Sequence, residues 1–140
     1  MARTKVEWVP DEAAIKEFAG WTGPVGQSVN RLAMEAVFRI RGLANRRSGV
    51  MTAGMHYKKG TWSRGIQFDA GSDVGYTLFV DQGTKPHPIK PKNPGGVLTF
   101  YWPKVGRVVH FKSVQHPGNK PYKFLERGLE AALSMWERGG

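Results

Sequence analysis

The chain has 140 residues, no cysteine and a formal charge of +10, because 21 lysines and arginines outnumber 11 acids. Its length suits a single domain, residues 1–140, that buries a core of its own. The absence of cysteine excludes disulfides and thiolate metal sites, and no apolar run approaches the roughly 20 residues of a membrane-spanning helix.

The N-terminal residues predict an extended arm followed by a short helix. Residues 1–9 contain basic side chains but no apolar segment behind them, which argues against a secretory signal and favours a protein kept in a cytoplasm. Pro10 and Asp11 can begin a helix, with Asp11 as its cap or first-turn acid. Gly20 is expected to end this helix.

A longer helix is predicted from Val25 to about Ala44, where apolar residues recur within one arc of the helical wheel. Met34 and Phe38 form a second apolar stripe on the far side of this helix. A surface helix with apolar residues on both sides needs two partners. The second stripe therefore predicts a contact with another part of the same domain or, alternatively, with another subunit.

The next residues predict a loop and then two strands. Residues 45–60 are glycine-rich and basic and follow neither period. They predict a long loop, a loose β-hairpin, or a projecting hairpin that orders only in an assembly. Alternating apolar residues predict one strand over Thr61–Phe68 and another over Tyr76–Asp81, which stops at a glycine turn at Gly83.

Prolines and a second pair of strands follow. Pro86–Gly96 holds four prolines and two glycines, so it is predicted to be extended and exposed and not a central strand. Val97–Trp102 has the clearest alternation, with one face formed by Leu98, Phe100 and Trp102. The segment from Val108 onward is predicted to return beside it as a hairpin.

A C-terminal helix is predicted to begin near Pro121, which suits a first helical turn. Its apolar stripe contains Phe124, Leu125, Leu129, Ala132, Leu133 and Trp136. Burying each of the larger side chains contributes roughly 1.5–3 kcal/mol, so the helix is expected to dock on the sheet. Gly128 costs about 1 kcal/mol relative to alanine, which predicts a close approach to a strand or a helix. The element order predicts an α+β domain, with helices covering a mostly antiparallel sheet and with long loops.

The charge is distributed unevenly along the chain. No acid lies between Glu35 and Asp69 or between Asp81 and Glu126, and these two stretches hold seven and eight of the basic residues. Such asymmetry favours a surface that meets nucleic acid or an acidic protein partner. A solvated surface on a basic protein is the alternative.

The sequence contains no convincing catalytic, cofactor or metal site, so we expect a protein that is not an enzyme. No histidine has a metal-binding helical spacing, although three of the four could meet across a sheet edge: His87, His110 and His116. Asp69, Asp73 and Asp81 flank predicted strands, where structural acids are commoner than catalytic ones. No serine lies in a nucleophile elbow, and no glycine-rich stretch matches a phosphate-binding loop.

Aromatic and basic residues alternate in three places: Trp62–Arg64, Tyr101–Lys104 and Tyr122–Lys123. Proteins that bind single-stranded nucleic acid use such pairs for stacking and for phosphate neutralisation. Stacking requires exposed rings, whereas the patterns here predict that Trp102 and Phe124 are core residues. No helix-turn-helix or zinc-finger signature favours sequence-specific DNA recognition.

Two stretches carry a family resemblance. From Tyr76 the chain reads YTLFVDQGTKPH and from His116 it reads HPGNKPYKFLERGLEAAL, while Ser48, Gly49 and Met51 give a looser third match. Together they resemble the gene-product-ten-like neck proteins of tailed bacteriophages, also called head–tail connector or tail-completion proteins. The matching positions are Tyr76, Val80, Asp81, Gly83, Thr84, Pro121, Phe124 and Leu125. Asp81 stands where the family pattern has glutamate, and two extra residues separate Pro121 from Phe124.

The resemblance implies a structural virion protein that forms a sixfold or, alternatively, twelvefold ring in the neck, assembled in the host cytoplasm. Its implied partners are further copies, portal-side adaptor or stopper proteins, tail terminator or tail tube proteins, and double-stranded DNA in the lumen, with no membrane. Because that DNA must slide, most basic residues are expected to face protein partners. Subunit or ring–ring contacts are expected at Met34, Phe38, Arg46, Arg47, Met51, Tyr57, Lys58, Lys59, Lys85, His87, Lys90 and Lys92.

Other functions stay open on the sequence alone. A tail terminator or a minor tail protein would share this architecture. A basic nucleic-acid-binding module would show an affinity that falls steeply with salt. A small nuclease or hydrolase would show turnover that Asp81→Asn abolishes.

Overall fold

The computed structural model describes residue 7 and residues 9–44, 49–63 and 65–139. In chain order its elements are α1 (Glu12–Ala19), α2 (Pro24–Leu43), α3 (Val50–Ala53), β1 (Met55–Trp62), β2 (Gly65–Ser72), α4 (Thr77–Gln82), β3 (His87–Ile89), β4 (Leu98–Trp102), β5 (Arg107–Phe111), β6 (Val114–His116) and α5 (Phe124–Glu137). The α+β class is confirmed. The described strands pair antiparallel, but in three separate two-stranded sheets and not in one larger sheet.

The chain groups into two compact units. The helical unit combines Met1–Gly75 with Phe124–Gly140, and the strand unit is Tyr76–Lys123. The predicted arm, residues 1–9, lies outside the described residues except for positions 7 and 9.

In the helical unit, the first two helices begin and end close to where the sequence predicts. Asp11 caps α1, because its Oδ1 accepts a hydrogen bond from the Ala14 N–H at 3.0 Å. Pro24 opens α2, where a missing N–H costs nothing. The buried face of α2 comprises Gly26, Leu32, Ala33, Ala36, Val37 and Ile40. By contrast, α1 has no buried residue.

The C-terminal helix packs along α2 and not chiefly on a sheet, which corrects the docking prediction. The buried cluster that joins the two helices is formed by Leu32, Ala36 and Ala132, with Phe68 and Leu129 against it. The alanines and Gly128 let the helices approach closely, so a helix is the better partner for this face. Leu133 and Trp136 were predicted on the buried stripe but are 36% and 43% exposed.

A hairpin completes the described part of the helical unit. β1 pairs with β2 over their full lengths, with Lys58 opposite Asp69. The described part of 45–60 is mostly α3 and β1, so the hairpin alternative fits its second half and the loop alternative does not. The expected strand Thr61–Phe68 is wrong, because it contains the turn of this hairpin. A two-stranded hairpin can carry polar residues on both faces where it projects into solvent. Because β1 contains two lysines and a glycine, its sequence does not show the alternation of apolar and polar residues that predicts a strand.

The strand unit begins with a helix where a strand was predicted. Thr77 and Asp81 are the buried residues of α4, and their spacing of four is helical. Leu78 and Phe79 are more than half exposed. The alternation of apolar and polar residues in the sequence therefore does not correspond to an alternation of buried and exposed residues in the structure. A run of six residues is short enough for the two periods to be confused.

The remaining strands follow their predictions more closely. β4 and β5 form the expected hairpin, in register from Leu98 opposite Phe111 to Trp102 opposite Arg107. The proline-rich segment is exposed and extended, as predicted, and its three-residue strand β3 pairs with β6. This arrangement leaves the strand unit without a thick hydrophobic core, since no described residue of Pro86–Lys123 is fully buried.

Candidate functional site

The two stretches that carry the resemblance meet inside the strand unit. Thr84 and Asn119 form an isolated antiparallel bridge, in which each backbone N–H donates to the other carbonyl at 3.0 Å. Asn119 N–H also lies 3.1 Å from Thr84 Oγ1. The Lys123 N–H donates to the Asp81 carbonyl at 2.8 Å. We call this set of contacts the junction. It joins segments about forty residues apart in the chain.

Two glycines make the junction possible. Gly83 has φ 73° and ψ 177°, a combination that side-chain-bearing residues avoid. A Cβ on Gly83 would meet the Asn119 carbonyl oxygen and lie 2.8 Å from Pro121 N. A Cβ on Gly118 would meet the Thr84 carbonyl oxygen and lie 2.8 Å from the Lys85 carbonyl carbon. The special backbone conformation predicted at Gly83 is confirmed, and its role is to admit a neighbouring backbone.

The three histidines considered for a metal site lie in two different described sheets. His87 and His116 lie opposite each other in β3 and β6, with ring centroids 5.2 Å apart. His110 bonds instead to Thr99 Oγ1 at 2.9 Å on the β4–β5 hairpin. The Gly118 N–H donates to His116 Nδ1 at 3.0 Å, which occupies that nitrogen. Among the described residues no group of three histidine or acidic side chains is placed to hold a metal ion.

The three acids considered for catalysis have structural surroundings. Asp69 lies opposite Lys58 across the β1–β2 hairpin. Asp73 forms an exposed ion pair with Lys58 Nζ at 3.3 Å, and its other carboxylate oxygen lies 3.5 Å from His56 Nε2. Asp81 is 6% exposed on the buried side of α4. The surroundings of the three acids therefore do not bring them together with one another.

The stripe on α2, formed by Met34 and Phe38, is open to solvent. Its two side chains are 57% and 72% exposed. They border a groove of about 290 Å³ that also includes Arg41, His56 and Tyr57. The Tyr57 hydroxyl donates to Asn30 Oδ1 at 2.8 Å, which holds the tyrosine against α2. The described residues of this unit therefore leave the stripe available to another molecule, as the subunit alternative requires.

The other predicted contact residues divide into several groups. Met51 is 3% exposed and belongs to the core, so it is removed from the proposed surface. Lys59 lies 5.1 Å above the Trp21 ring and is exposed, like Lys58. All four predicted contact residues of the strand unit are exposed: Lys85, His87, Lys90 and Lys92. Three basic residues named in the sequence analysis lie outside the described part of the chain: Arg46, Arg47 and Arg64.

The sequence patterns missed one exposed surface, which we call the aromatic face. It consists of Phe100, Trp102 and Phe111 on one side of the β4–β5 hairpin, with the Phe111 ring 6.1 Å from each of the other two rings. The three side chains are 37–38% exposed and line a groove of about 380 Å³. The prediction that Trp102 is a core residue is wrong, whereas Phe124 is fully buried as predicted.

The sequence signal for this surface is that the other side of the hairpin also carries large apolar residues. There Tyr101 and Val108 are 60% and 53% exposed. A half-buried hairpin normally has a polar outer face. Large apolar residues on both faces indicate instead that neither face is covered within the described chain.

The strand unit is strongly basic. Its eight lysines and arginines are all exposed, and its one acid, Asp81, is buried. Within the described residues none of the eight forms an ion pair with a carboxylate. Uncompensated positive charge on a small unit attracts anionic partners.

Comparison of the chain with protein-family models, curated proteins and solved structures finds no match. None of the described helices combines the length and apolarity needed to cross a bilayer.

Proposed function

We propose that this chain is a structural virion protein that forms a ring in the neck of a tailed bacteriophage, joining head and tail around the DNA channel. The observation that carries the proposal is the presence of two separate exposed apolar surfaces, the stripe on α2 and the aromatic face. A subunit of a closed ring uses two different surfaces, one for each neighbour.

The junction also supports the proposal. The strings that resemble the neck proteins are distant in the chain, yet backbone hydrogen bonds join Thr84 to Asn119. Strings of chance similarity have no reason to form one structural element. Gly83 is required there by its backbone angles, so the resemblance rests on a residue with a physical role.

The partners follow from the charge. Lys85, Lys90 and Lys92 project from an extended segment without carboxylate partners among the described residues. Rings stacked above and below this one would meet them with acidic surfaces. DNA has to slide through a neck, and many tight phosphate contacts would retard it. We therefore assign these lysines to neighbouring proteins, namely portal-side adaptors or stoppers and tail terminator or tube proteins.

Electron microscopy of lysates tests the proposal. A phage deleted for this gene should yield DNA-filled heads beside separate tails, and supplying the gene in trans should restore joined virions. Normal joined virions from the deletion would overturn the neck function. A Met34→Leu variant supplied in trans serves as a control for expression of a variant. It should also restore joined virions, because the change keeps the stripe apolar.

The eight exposed basic residues of the strand unit, which form no ion pair with a described carboxylate, favour a second candidate, a basic nucleic-acid-binding module. Each phosphate contact to duplex DNA would contribute about −0.9 to the slope of log affinity against log salt. Fluorescence anisotropy with labelled duplex and single-stranded oligonucleotides measures this slope. The absence of binding at low ionic strength would eliminate the module and leave the neck function as the stronger candidate.

A further inference from the structure

The helix α1 packs on α2 but keeps an apolar edge that its own unit leaves largely uncovered. It has no buried residue, and Ile15 and Phe18 are 51% and 58% exposed. Their spacing of three places them on one side of the helix. Glu12, Lys16 and Glu17 are also exposed, and with the capping Asp11 this part of the chain carries three acids and one lysine, so it is acidic on balance. An isolated helix of eight residues is marginal in water, so one with an exposed apolar edge gains from a surface that covers it.

The aromatic face has the opposite charge. Lys104, Arg107 and Lys112 lie on or beside the β4–β5 hairpin, and residues 98–112 contain no acid. All three basic side chains are exposed. A two-stranded hairpin is likewise marginal unless a further layer packs on it. The chain thus carries an acidic helix with an apolar edge and a basic hairpin with an apolar groove.

We propose that α1 of one copy docks on the aromatic face of a neighbouring copy. Ile15 and Phe18 would cover the aromatic rings, while Glu12 and Glu17 would face Lys104 and Arg107. This inference rests on the proposed ring function and identifies the element that covers the aromatic face, while the stripe on α2 remains a further contact surface of the ring.

The length of α1 and the opposite charges of α1 and the hairpin favour a second copy of this chain as the molecule that covers the aromatic face. A helix of eight residues is about 12 Å long, and five-residue strands span about 17 Å, so the helix fits along the hairpin. Complementary charges at the edge of such a contact set its register and speed its formation. Each copy carries one helix and one groove, which gives the head-to-tail contact that closes a ring.

Paired charge reversals test this contact. One variant is Glu12→Lys with Glu17→Lys, and the other is Lys104→Glu with Arg107→Glu. Each variant alone opposes like charges at every interface, so its self-association should weaken more than about tenfold. In an equimolar mixture the reversed helix meets the reversed hairpin, and the native helix meets the native hairpin. The mixture should therefore recover assemblies in which the two variants alternate.

Sedimentation velocity and native mass spectrometry measure the outcome, and circular dichroism melting checks that each variant is folded. Phe18→Ser provides an uncharged variant if a reversal impairs folding, and it should weaken association as well. Normal assembly of each charge variant alone, or no recovery in the mixture, would overturn the docking inference. Because the inferred contact joins two copies, only a contact between chains can restore self-association when the two variants are mixed.

The wild-type protein separates the two levels of proposal. If wild-type chains form rings and both variants form them equally well, the docking inference fails and the ring function stands. If wild-type chains stay monomeric up to millimolar concentration, self-assembly into a ring fails together with the docking contact.

Discussion

Gly128 of α5 lies directly against Ile40 of α2. A Cβ on residue 128 would come within 2.8 Å of both the backbone N and the Cα of Ile40. Real Cβ atoms do not approach backbone so closely, so the two helices would have to move apart. The absence of a side chain at one position therefore sets the spacing of the main helix pair.

Gly128→Ala should lower the free energy of unfolding by about 1–3 kcal/mol, because the methyl group overpacks the helix contact. Gly42→Ala is the matched control. Gly42 also lies in a helix, but nothing lies within 4 Å of its Cβ position. That change should stabilise the protein by up to about 1 kcal/mol through helix propensity. Urea unfolding compares the two, and equal effects would refute the close-packing explanation.

At the junction, Gly83→Ala should destabilise the protein by about 3 kcal/mol, and Gly83→Val by more. The change combines an unfavourable backbone conformation with a collision against Asn119 and Pro121. Gly95→Ala isolates the first effect, since Gly95 has φ 79° with open space around its Cβ position. It should cost only about 1 kcal/mol. Thermal melts compare the two variants. If Gly83→Ala and Gly95→Ala lose the same stability, the close contact at the junction makes no contribution.

Thr77 presents the reverse case, a buried hydroxyl whose removal should help. Its side chain is 4% exposed, and Oγ1 has no hydrogen-bond partner among the described residues. An unsatisfied buried hydroxyl costs about 1–3 kcal/mol. Thr77→Val keeps the shape and should raise the unfolding free energy by about 1 kcal/mol, whereas Thr77→Ser keeps the hydroxyl and should lower it. A destabilised valine variant would indicate that Oγ1 is paired after all.

The stripe on α2 gives a prediction about assembly and not about stability. Met34→Asp should leave a folded chain, with a change within about 0.5 kcal/mol, because the side chain is largely exposed. It should nonetheless block ring formation by placing a charge in an apolar contact. Met34→Leu should assemble normally. Size-exclusion chromatography with light scattering checks both variants, and normal assembly of Met34→Asp would exclude the stripe from the ring contacts.

Elements with a long period or a defined end could be predicted from the sequence. The cap at Asp11, the first turn at Pro24 and the apolar arc of α2 each have a local cause. The β4–β5 hairpin follows from strict alternation across a turn. Gly128 and Gly83 were identified because glycine is costly unless the backbone requires it.

Short elements and uncovered faces could not be predicted in this way. The six residues of α4 fit either period, and burial decided for a helix. Alternation placed Trp102 on an apolar face, but it does not reveal whether anything covers that face. Met51 lies in a glycine-rich basic stretch that looks exposed in the sequence, whereas tertiary packing buries it. Covering surfaces come from distant parts of the chain, or from other chains, and local patterns do not contain them.

The division of the helical unit between the two ends of the chain has a consequence for synthesis on the ribosome. The partner of α2 is α5, which is made much later than α2, and Arg39 Nη2 donates to Met135 Sδ across 96 positions. At about 5–20 residues per second, the segment between the end of α2 and the start of α5 takes roughly 4–16 s to translate. Throughout that interval the part of the α2 face that α5 covers lacks its partner, although β1 and β2 can already pack on α2, and the strand unit is synthesised before the helical unit can be completed. The close α2–α5 contact at Ile40 and Gly128 can therefore form only after the whole strand unit has been synthesised.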